Sequence, residues 1–468
     1  MKKTSRILVV AISCMMLFTS CKKGSDSSSS GENSSASPTT QKLIGENLKY
    51  DLNAPVNEGK KIELTIWTDP EIEPFYKEAT DKYSKIHDNV SFKIVTQPWS
   101  DYWTKLPLTL SSGAGPDIYR AHEAFVNNLK QFSRELPADV FPMGELKADF
   151  PAIEELVVDG KYYSVPLGST FGGGIYYNKK MWADAGLTEK DIPKTWDKFI
   201  ENGKKLTKAD AKGNVTQYGF STDHAFEAFV TDLNYQKGQP LFKDDMFTWD
   251  LNNDVMYENI SFIKSLKDEH KFMMYSDGDC EDQFGHGQVA MIYQRNWLAG
   301  YVNDTYPEID WGYFLMPTQD GNAPPAYGNK SNEWTMSVAS KDDKKAAVSF
   351  DFFKYFLCEN ETYLNNALRL SAIPGKQNLK SDARLNDYEN LVKMGQVDDR
   401  LVYTGVIPTD EARQKALRAA GSDIFINGKD AKNVIPKVEK DLMADTAKNK
   451  FTYKSIEDKY KYFAELNK

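Results

Sequence analysis

Alternating apolar and polar side chains identify the first strands of the chain. Apolar residues occupy every second position in residues 61–67, and residues 90–96 repeat this pattern of a half-buried strand. Between them, apolar residues recur at helical spacing, and Asp69 followed by Pro70 predicts an N-cap with proline at the first helical position. A strand, a helix and a strand over about 35 residues predict a right-handed crossover within a parallel sheet.

Along the rest of the chain, segments with the periodicity of strands continue to alternate with segments that have the periodicity of helices. This order predicts an α/β protein. Further strands are expected after the turn at 113–116 and at 217–222, 287–294, 310–317 and 333–339. Helices are expected from Thr195 onwards, over most of 226–272 with a break at 238–240, at 344–357, and in most of the charged C-terminal region.

A glycine-rich segment, residues 165–182, is interpreted as a crossing between two lobes. Gly172, Gly173 and Gly174 follow one apolar run and precede another. Three glycines remove side chains from an extended segment, which favours a site where another group must approach the backbone closely. A bulge within one sheet is the alternative interpretation.

The N-terminus has the pattern of an export signal. Three basic residues precede the apolar run 7–18, which is too short to span a membrane. The small residues before Cys21 resemble a bacterial lipoprotein processing site, where the cysteine is acylated, for example with palmitate. Cleavage by an ordinary secretory route is the alternative. Residues 1–20 are thus predicted to be a signal peptide, and the Ser-rich residues 21–45 a flexible tether.

Length and charge narrow the class of protein further. A chain of 468 residues exceeds what one core usually supports, so two domains are expected. A formal charge of −9 argues against nucleic acid and anionic membrane surfaces as partners. Cys280 and Cys358 are expected to be buried thiols, although a single disulfide between them is left open.

Two segments begin like known metal-binding motifs, and each lacks residues that the motif requires. His122 and Glu123 begin like a zinc-protease motif, but Val126 occupies the position of the second histidine. The acidic residues 277–282 lack the glycine and the closing glutamate of a calcium loop, which favours a solvated turn. No cofactor and no metal site are predicted.

Aromatic residues beside polar ones recur just past predicted strands, as at Trp67 with Asp69 and at Trp297 after residues 287–294. A flat indole suits the C–H face of a sugar ring, while carboxylates and arginine bind hydroxyl groups through charge-assisted hydrogen bonds. This pattern predicts a saccharide site. Core packing is preferred for Trp182, Trp196, Trp249 and Trp311.

Five segments in order resemble the extracellular solute-binding proteins of carbohydrate ABC importers, the group that includes the maltose-binding protein. They are residues 116–125, 159–187, 191–199, 287–297 and 371–376. The resemblance covers nearly all of the chain after the tether. It implies a two-lobed periplasmic-binding-protein-like fold (type II), in which each lobe is a central sheet flanked by helices and the ligand cleft lies between the lobes.

The resemblance also implies functional positions. It places an acidic ligand contact at Glu123, polar contacts at Ser169 and Thr170, and a sugar-stacking ring at Trp297. Arg120 occupies the position of a tryptophan in maltose binders, which argues against a maltodextrin ligand. The full predicted ligand-binding set is Trp67, Asp69, Trp99, Tyr102, Arg120, Glu123, Ser169, Thr170, Asp223, Trp297, Glu333 and Trp334.

We therefore expect a monomeric, extracytoplasmic receptor, anchored to the lipid bilayer through acylated Cys21, that delivers a mono- or oligosaccharide to an ABC permease. Its lobes would be 46–168 plus 319–372 and 169–318 plus 373–468. Two other classes stay open at this point. One is a secreted glycoside hydrolase using Asp69, Glu123 and Glu333 as its carboxylates, and the other is a structural or adhesive lipoprotein.

Overall fold

The strands of the chain are arranged mainly in two sheets. The computed structural model describes residues 41–449 except 171, 224, 244–247, 277, 325–326, 398–399 and 404–409. The strands are β1 (Leu43–Ile44), β2 (Tyr50–Asp51), β3 (Ile62–Thr68), β4 (Val90–Thr96), β5 (Ile118–Ala121), β6 (Val157–Val158), β7 (Lys161–Tyr162), β8 (Val165–Thr170), β9 (Gly174–Asn178), β10 (Lys208–Ala209), β11 (Val215–Gln217), β12 (Phe220–Ser221), β13 (Met273–Met274), β14 (Met291–Gln294), β15 (Trp311–Leu315), β16 (Tyr327–Val338) and β17 (Leu401–Tyr403).

Helices cover both sheets, as expected for an α/β protein. They are α1 (Glu73–Ile86), α2 (Trp99–Ser112), α3 (Glu123–Leu129), α4 (Met143–Asp149), α5 (Lys179–Asp184), α6 (Trp196–Leu206), α7 (Phe226–Gln236), α8 (Asp254–Asp268), α9 (Cys280–Gly285), α10 (Leu298–Thr305), α11 (Asp343–Cys358), α12 (Asn360–Arg369), α13 (Glu389–Gly395), α14 (Asp410–Phe425) and α15 (Ala431–Asn449). Among the described helices, none combines the length and the hydropathy needed to cross a membrane.

The first sheet has the strand order β17-β16-β5-β3-β4, with β8 paired to β16. Strands β3 and β4 are parallel over their full length, from Ile62 opposite Val90 to Thr68 opposite Thr96. The predicted parallel crossover is therefore confirmed. The second sheet has the order β13-β12-β14-β9-β15, and β9 is antiparallel to both of its neighbours.

The glycine-rich segment passes from one sheet to the other. Strand β8 pairs with β16 in the first sheet, and β9 pairs with β14 and β15 in the second. A Cβ atom at Gly173 would overlap the ring of Tyr293, and one at Gly174 would overlap the ring of Tyr313. The glycines are needed because tyrosine rings of the second sheet lie against this part of the backbone.

Each sheet has its own hydrophobic core. The first core joins β3 and β16 to α1, α11 and α12, and the second joins β9 and β14 to α6, α7, α8 and α14. Cys358 is buried in the first core and Cys280 in the second, and both are free thiols, which excludes the disulfide between them. Trp182, Trp196 and Trp249 are buried in the second core, as predicted.

Of two helix starts predicted from capping residues, one is correct and one is wrong. Thr195 is the N-cap of α6, because its hydroxyl accepts a hydrogen bond from the Lys198 amide at 3.3 Å. The predicted start at Asp69 and Pro70 is wrong, since α1 begins at Glu73. The carboxylate of Asp69 is instead paired with a buried arginine, as described below.

Candidate functional site

A cavity of about 800 Å³ is lined by residues of both sheets and their helices. From the β3, β5, α2, α3 and α12 regions it receives Asp69, Pro70, Glu71, Pro98, Trp99, Arg120, His122, Phe125, Arg369 and Leu370. From the α7, β14, α10 and α14 regions it receives Ala225, Glu227, Ala228, Gln294, Arg295, Trp297, Gly300, Tyr301, Asp304, Thr305, Glu411, Gln414, Lys415 and Arg418. Its volume is in the range of pockets that enclose small ligands.

Arg120 is the central charged group of the first-sheet wall. Its Nη1 lies 3.1 Å from Oδ2 of Asp69, and its Nη2 lies 3.2 Å from Oε2 of Glu71. Asp69 follows β3 and Arg120 lies in the neighbouring parallel strand β5, so the adjacency of these strands brings the pair together. Both side chains are 1% exposed. Removing one partner from such a pair leaves a buried charge without its counter-charge, which typically costs about 3–5 kcal/mol.

The Trp99 ring forms the exposed part of the same wall. The Arg120 guanidinium carbon lies 4.5 Å from the ring centroid, which is a cation–π contact. Trp99 is 41% exposed, so part of its surface is open to a ligand. Behind it, Trp103 and Phe125 stack with centroids 4.0 Å apart, and His122 lies edge-on to both.

The second-sheet wall presents Trp297 and Tyr301 at the start of α10. Trp297 directly precedes α10 and is partly buried against both cores. The ring centroids of Trp297 and Tyr301 lie 6.2 Å apart in an edge-on arrangement. The Tyr301 hydroxyl donates to Asp282 Oδ1 at 2.9 Å, which fixes the ring. Burial, followed by this hydrogen bond, raises the pKa of Tyr301.

Charged residues from α7 and α14 complete this wall. Glu227, 4% exposed, accepts a hydrogen bond from Arg413 Nη1 at 3.0 Å, and Arg418 Nη2 lies 4.0 Å from its other oxygen. Gln294, at the end of β14, donates to the buried carboxylate of Glu281. The side chains of the second wall are therefore held by hydrogen bonds to groups behind them, which favours a pre-organised site.

Asp232 is a buried carboxyl group next to the glycine-rich segment. Its Oδ2 accepts hydrogen bonds from the Gly173 amide at 2.8 Å and from the Tyr293 hydroxyl. Burial raises the pKa of Asp232 to about 6, although these hydrogen bonds and the charge of Arg295 act in the opposite direction. The segment between the sheets is thus held by a buried carboxyl group whose pKa is raised.

The predicted site residues divide into three groups. Asp69, Trp99, Arg120 and Trp297 line the cavity. Four others, Trp67, Tyr102, Asp223 and Trp334, do not line it. Trp67 packs beside the fully buried Tyr102, whose hydroxyl donates to the carbonyls of Trp67 and Arg120. Trp334 lies in the first core at 1% exposure, and the carboxylate of Asp223 accepts hydrogen bonds from Ser276 and Gln283. The side chains of Glu123, Ser169, Thr170 and Glu333, and the whole of Cys21, lie outside the described residues.

Residues from α14 were missed by the sequence interpretation. Glu411, Gln414, Lys415 and Arg418 line the cavity at a spacing of three, four and seven positions, which corresponds to one face of a helix. The sequence shows this polar spacing. It does not show that this face points to the cavity, because the C-terminal region is charged on several faces.

Comparison with known proteins agrees with the two-sheet architecture. Residues 68–358 match the model of the bacterial extracellular solute-binding protein family. A lactose-binding protein of Rhizobium radiobacter is 31% identical over 64% of this chain and 73% of its own length. A diacetylchitobiose binding protein of Streptomyces coelicolor is 24% identical over 66% of this chain and 71% of its own length.

The solved structure of an ABC substrate-binding protein from Listeria monocytogenes in complex with cycloalternan has the same fold. Its TM-score is 0.70 at 18% identity, and the superposition covers 83% of this chain and all of that chain. The fold is thus the two-lobed one of periplasmic binding proteins, with one sheet and one core in each lobe. The family match extends over more than half of the chain, and the chain therefore belongs to the bacterial extracellular solute-binding proteins.

Proposed function

We propose that the chain is the extracytoplasmic receptor of a carbohydrate ABC importer, which captures a saccharide between its lobes and delivers it to a membrane permease. The observation that carries this proposal is a cavity whose two walls each present a tryptophan, Trp99 and Trp297, among charged side chains. The names of the two relatives, which refer to lactose and diacetylchitobiose, support a saccharide as ligand. The family is one of solute-binding proteins rather than hydrolases.

Two aromatic rings and several charged side chains are sufficient for micromolar binding of a saccharide. A ring covering ~50 Å² of sugar contributes on the order of 1 kcal/mol, and a hydrogen bond to a charged group contributes about 1.5–3 kcal/mol. Two rings and three such bonds approach the roughly 8 kcal/mol of a micromolar complex, before the cost of immobilising the ligand. Glu123, Ser169, Thr170 and Glu333 remain proposed contacts.

A thermal-shift screen tests the proposal directly. The purified soluble body is heated with a panel of mono- and disaccharides, because a ligand that binds only the folded state raises the melting temperature with its concentration. A saccharide that shifts the melting temperature and is recovered intact supports a receptor. Recovery of a shortened saccharide would instead indicate hydrolysis, and a panel without any shift would contradict the proposal.

The position of the receptor in the cell is proposed from the N-terminal pattern. Residues 1–20 would be removed as a signal peptide, Cys21 would carry the lipid, and residues 21–45 would tether the body to the membrane. Fractionation of Cys21→Ala against wild type tests this. Release of the variant into the soluble fraction is the expected result, whereas a variant that stays with the membrane would place the anchor elsewhere.

The division into lobes is proposed as 46–168 plus 319–372 for the first and 169–318 plus 373–468 for the second. The separate cores support most of this division, with β8 and β9 on either side of the first crossing. Two parts of the range 373–468 depart from it, because β17 pairs with β16 of the first sheet and Leu379 packs in the first core. The receptor is proposed to act as a monomer. Light scattering during gel filtration should therefore give a mass of one chain.

A further inference from the structure

The wall formed by α7 and α14 carries more positive than negative charge. Arg413, which is 4% exposed, occupies one oxygen of Glu227 at 3.0 Å. The other oxygen lies 4.0 Å from Arg418, at the limit of an ion pair. One carboxylate is thus shared by two guanidinium groups. Lys415, one helical turn before Arg418, also lines the cavity and is exposed.

Arg418 has hydrogen-bonding capacity directed into the protein. Its Nε is buried and has no hydrogen-bond partner among the described residues, while 40% of the side chain remains exposed. A buried guanidinium nitrogen without an acceptor is unfavourable. An oxygen-rich anion in the cavity would instead meet the exposed part of the Arg418 side chain, whose guanidinium can donate to a carboxylate, sulfate or phosphate group.

The other charged residues that line the cavity balance one another, because three acids, Asp69, Glu71 and Asp304, stand against three bases, Arg120, Arg295 and Arg369. On the first wall, Asp69 and Glu71 are both engaged by Arg120. Arg295 adds a further buried cation to the second wall. Its charge lowers the pKa of the buried Asp232.

Two other anions line the cavity, and both have partners. Glu411 accepts from Asn128 at 3.4 Å, and Asp304, which is 63% exposed, lies 3.9 Å from Arg369. On the side of the cavity nearest to α14, two acids, Glu227 and Glu411, stand against three bases, Arg413, Lys415 and Arg418, which leaves one positive charge in a protein whose overall charge is −9.

From this arrangement we propose that the ligand is an acidic saccharide, whose carboxylate, sulfate or phosphate ester is bound by Lys415 and Arg418 while its sugar rings contact Trp99 and Trp297. The inference rests on the proposed receptor function and specifies its substrate class. Arg295, which also lines the cavity, contributes a further positive charge. An uncharged sugar could use the tryptophans but would bring no negative charge to Lys415 and Arg418.

Calorimetric titration of matched probes tests the inference. The pairs are digalacturonic acid against galactobiose, glucose 6-phosphate against glucose, and N-acetylglucosamine 6-sulfate against N-acetylglucosamine. We expect one acidic member to bind at least about tenfold tighter than its neutral partner, as two charge-assisted hydrogen bonds can provide. The pair in which the acidic member binds more tightly shows whether the anionic group is a carboxylate, a phosphate or a sulfate. The affinity of the acidic member should also fall as salt increases.

Variants separate the charged wall from general effects on folding. Lys415→Gln and Arg418→Gln should each weaken the acidic probe by about tenfold or more and leave the neutral partner within about twofold. Lys440→Gln, an exposed lysine of α15 that does not line the cavity, is the matched control. If Arg418→Gln folds poorly, Lys415→Gln still provides the comparison, because its side chain is exposed.

The possible failures are distinguishable. If a neutral saccharide binds as tightly as its acidic partner, or if both Gln variants keep the acidic preference, the inference is wrong and the receptor function stands. If no saccharide of either kind binds, the proposed function is contradicted as well.

Discussion

Individual tryptophan residues show how the same side chain serves two purposes. Trp99 is 41% exposed at the cavity, whereas Trp334 is 1% exposed in the first core. Trp334 lies two and four positions before Met336 and Val338 on β16, and all three are buried on one face of the strand. A tryptophan after or within a strand therefore has no defined role until the direction of its side chain is known.

Replacing these two residues should have opposite consequences. Trp99→Ala should weaken saccharide binding by about 1 kcal/mol or more, because a contact ring is lost, and should change the ligand-free melting temperature little. Trp334→Ala should cost about 3–5 kcal/mol of stability through the cavity it creates in the core. Calorimetry and urea denaturation of both variants check this, and a large melting drop for Trp99→Ala would assign it to packing.

The carboxyl group of Asp232 should make stability depend on pH. Its pKa is raised from 3.8 to about 6, so the folded state binds more protons than the unfolded state between about pH 4 and 6. The free energy of unfolding should therefore fall as pH rises through this window, by up to about 3 kcal/mol. Asp232→Asn removes this titration. Urea denaturation at pH 4.5 and 7.5 should show wild type losing stability relative to the variant, and parallel curves would contradict the assignment.

At the scale of elements, helix ends bring the functional side chains to the cavity. Helix α2 begins at Trp99, and its first turns place Trp99 and Trp103 one turn apart beside His122, while Tyr102 points into the protein. Helix α10 follows Trp297 and presents Tyr301 and Asp304. The site is thus built on regular elements rather than on long loops.

Helix α10 belongs to the second core but approaches the first lobe closely at Gly300. A Cβ atom there would overlap the carbonyl oxygen of Arg369, the last residue of α12. Gly300→Ala should therefore hold α10 away from α12 and weaken saccharide binding by about tenfold, because ligand contacts depend on positions within about 1 Å. Gly144→Ala on α4 is the control, since its Cβ would meet no atom within 4 Å. Equal binding by both variants would show that this approach is not required.

At the scale of the whole molecule, we expect the two lobes to move as units about the crossing segments, because each has its own core. Ligand contacts from both walls can form together only when the lobes are close, so a saccharide favours a closed state by this difference in contacts. An ion pair also joins the two lobes. Nη1 of Arg369, in α12 of the first core, lies 3.9 Å from Oδ2 of Asp304, in α10 of the second core.

Small-angle scattering should report this closure. The radius of gyration is expected to fall when a saccharide identified in the thermal-shift screen is added, and the same sugar should leave a Trp297→Ala variant closer to the ligand-free value at an equal concentration. An unchanged radius in a ligand-saturated wild-type sample would reject closure as the response to binding.

Periodicity was sufficient to predict the alternation of strands and helices and the parallel crossover of β3 and β4. The three glycines indicated a crossing between lobes, with a bulge as the alternative, and the strand pairing decided for the crossing. These features depend on local spacing and on backbone freedom, which are written directly in the residues. The start of α6 at Thr195 was predictable for the same reason, since a cap is formed within three residues.

Long-range contacts determined the rest. Asp69 resembles a helix cap in sequence, but the buried Arg120 of the neighbouring strand takes its carboxylate. Arg413 of α14 donates a hydrogen bond to Glu227 of α7, although the two residues are more than 180 positions apart in the chain. Which faces of these elements meet is decided by how the two cores pack, and local spacing does not contain that information.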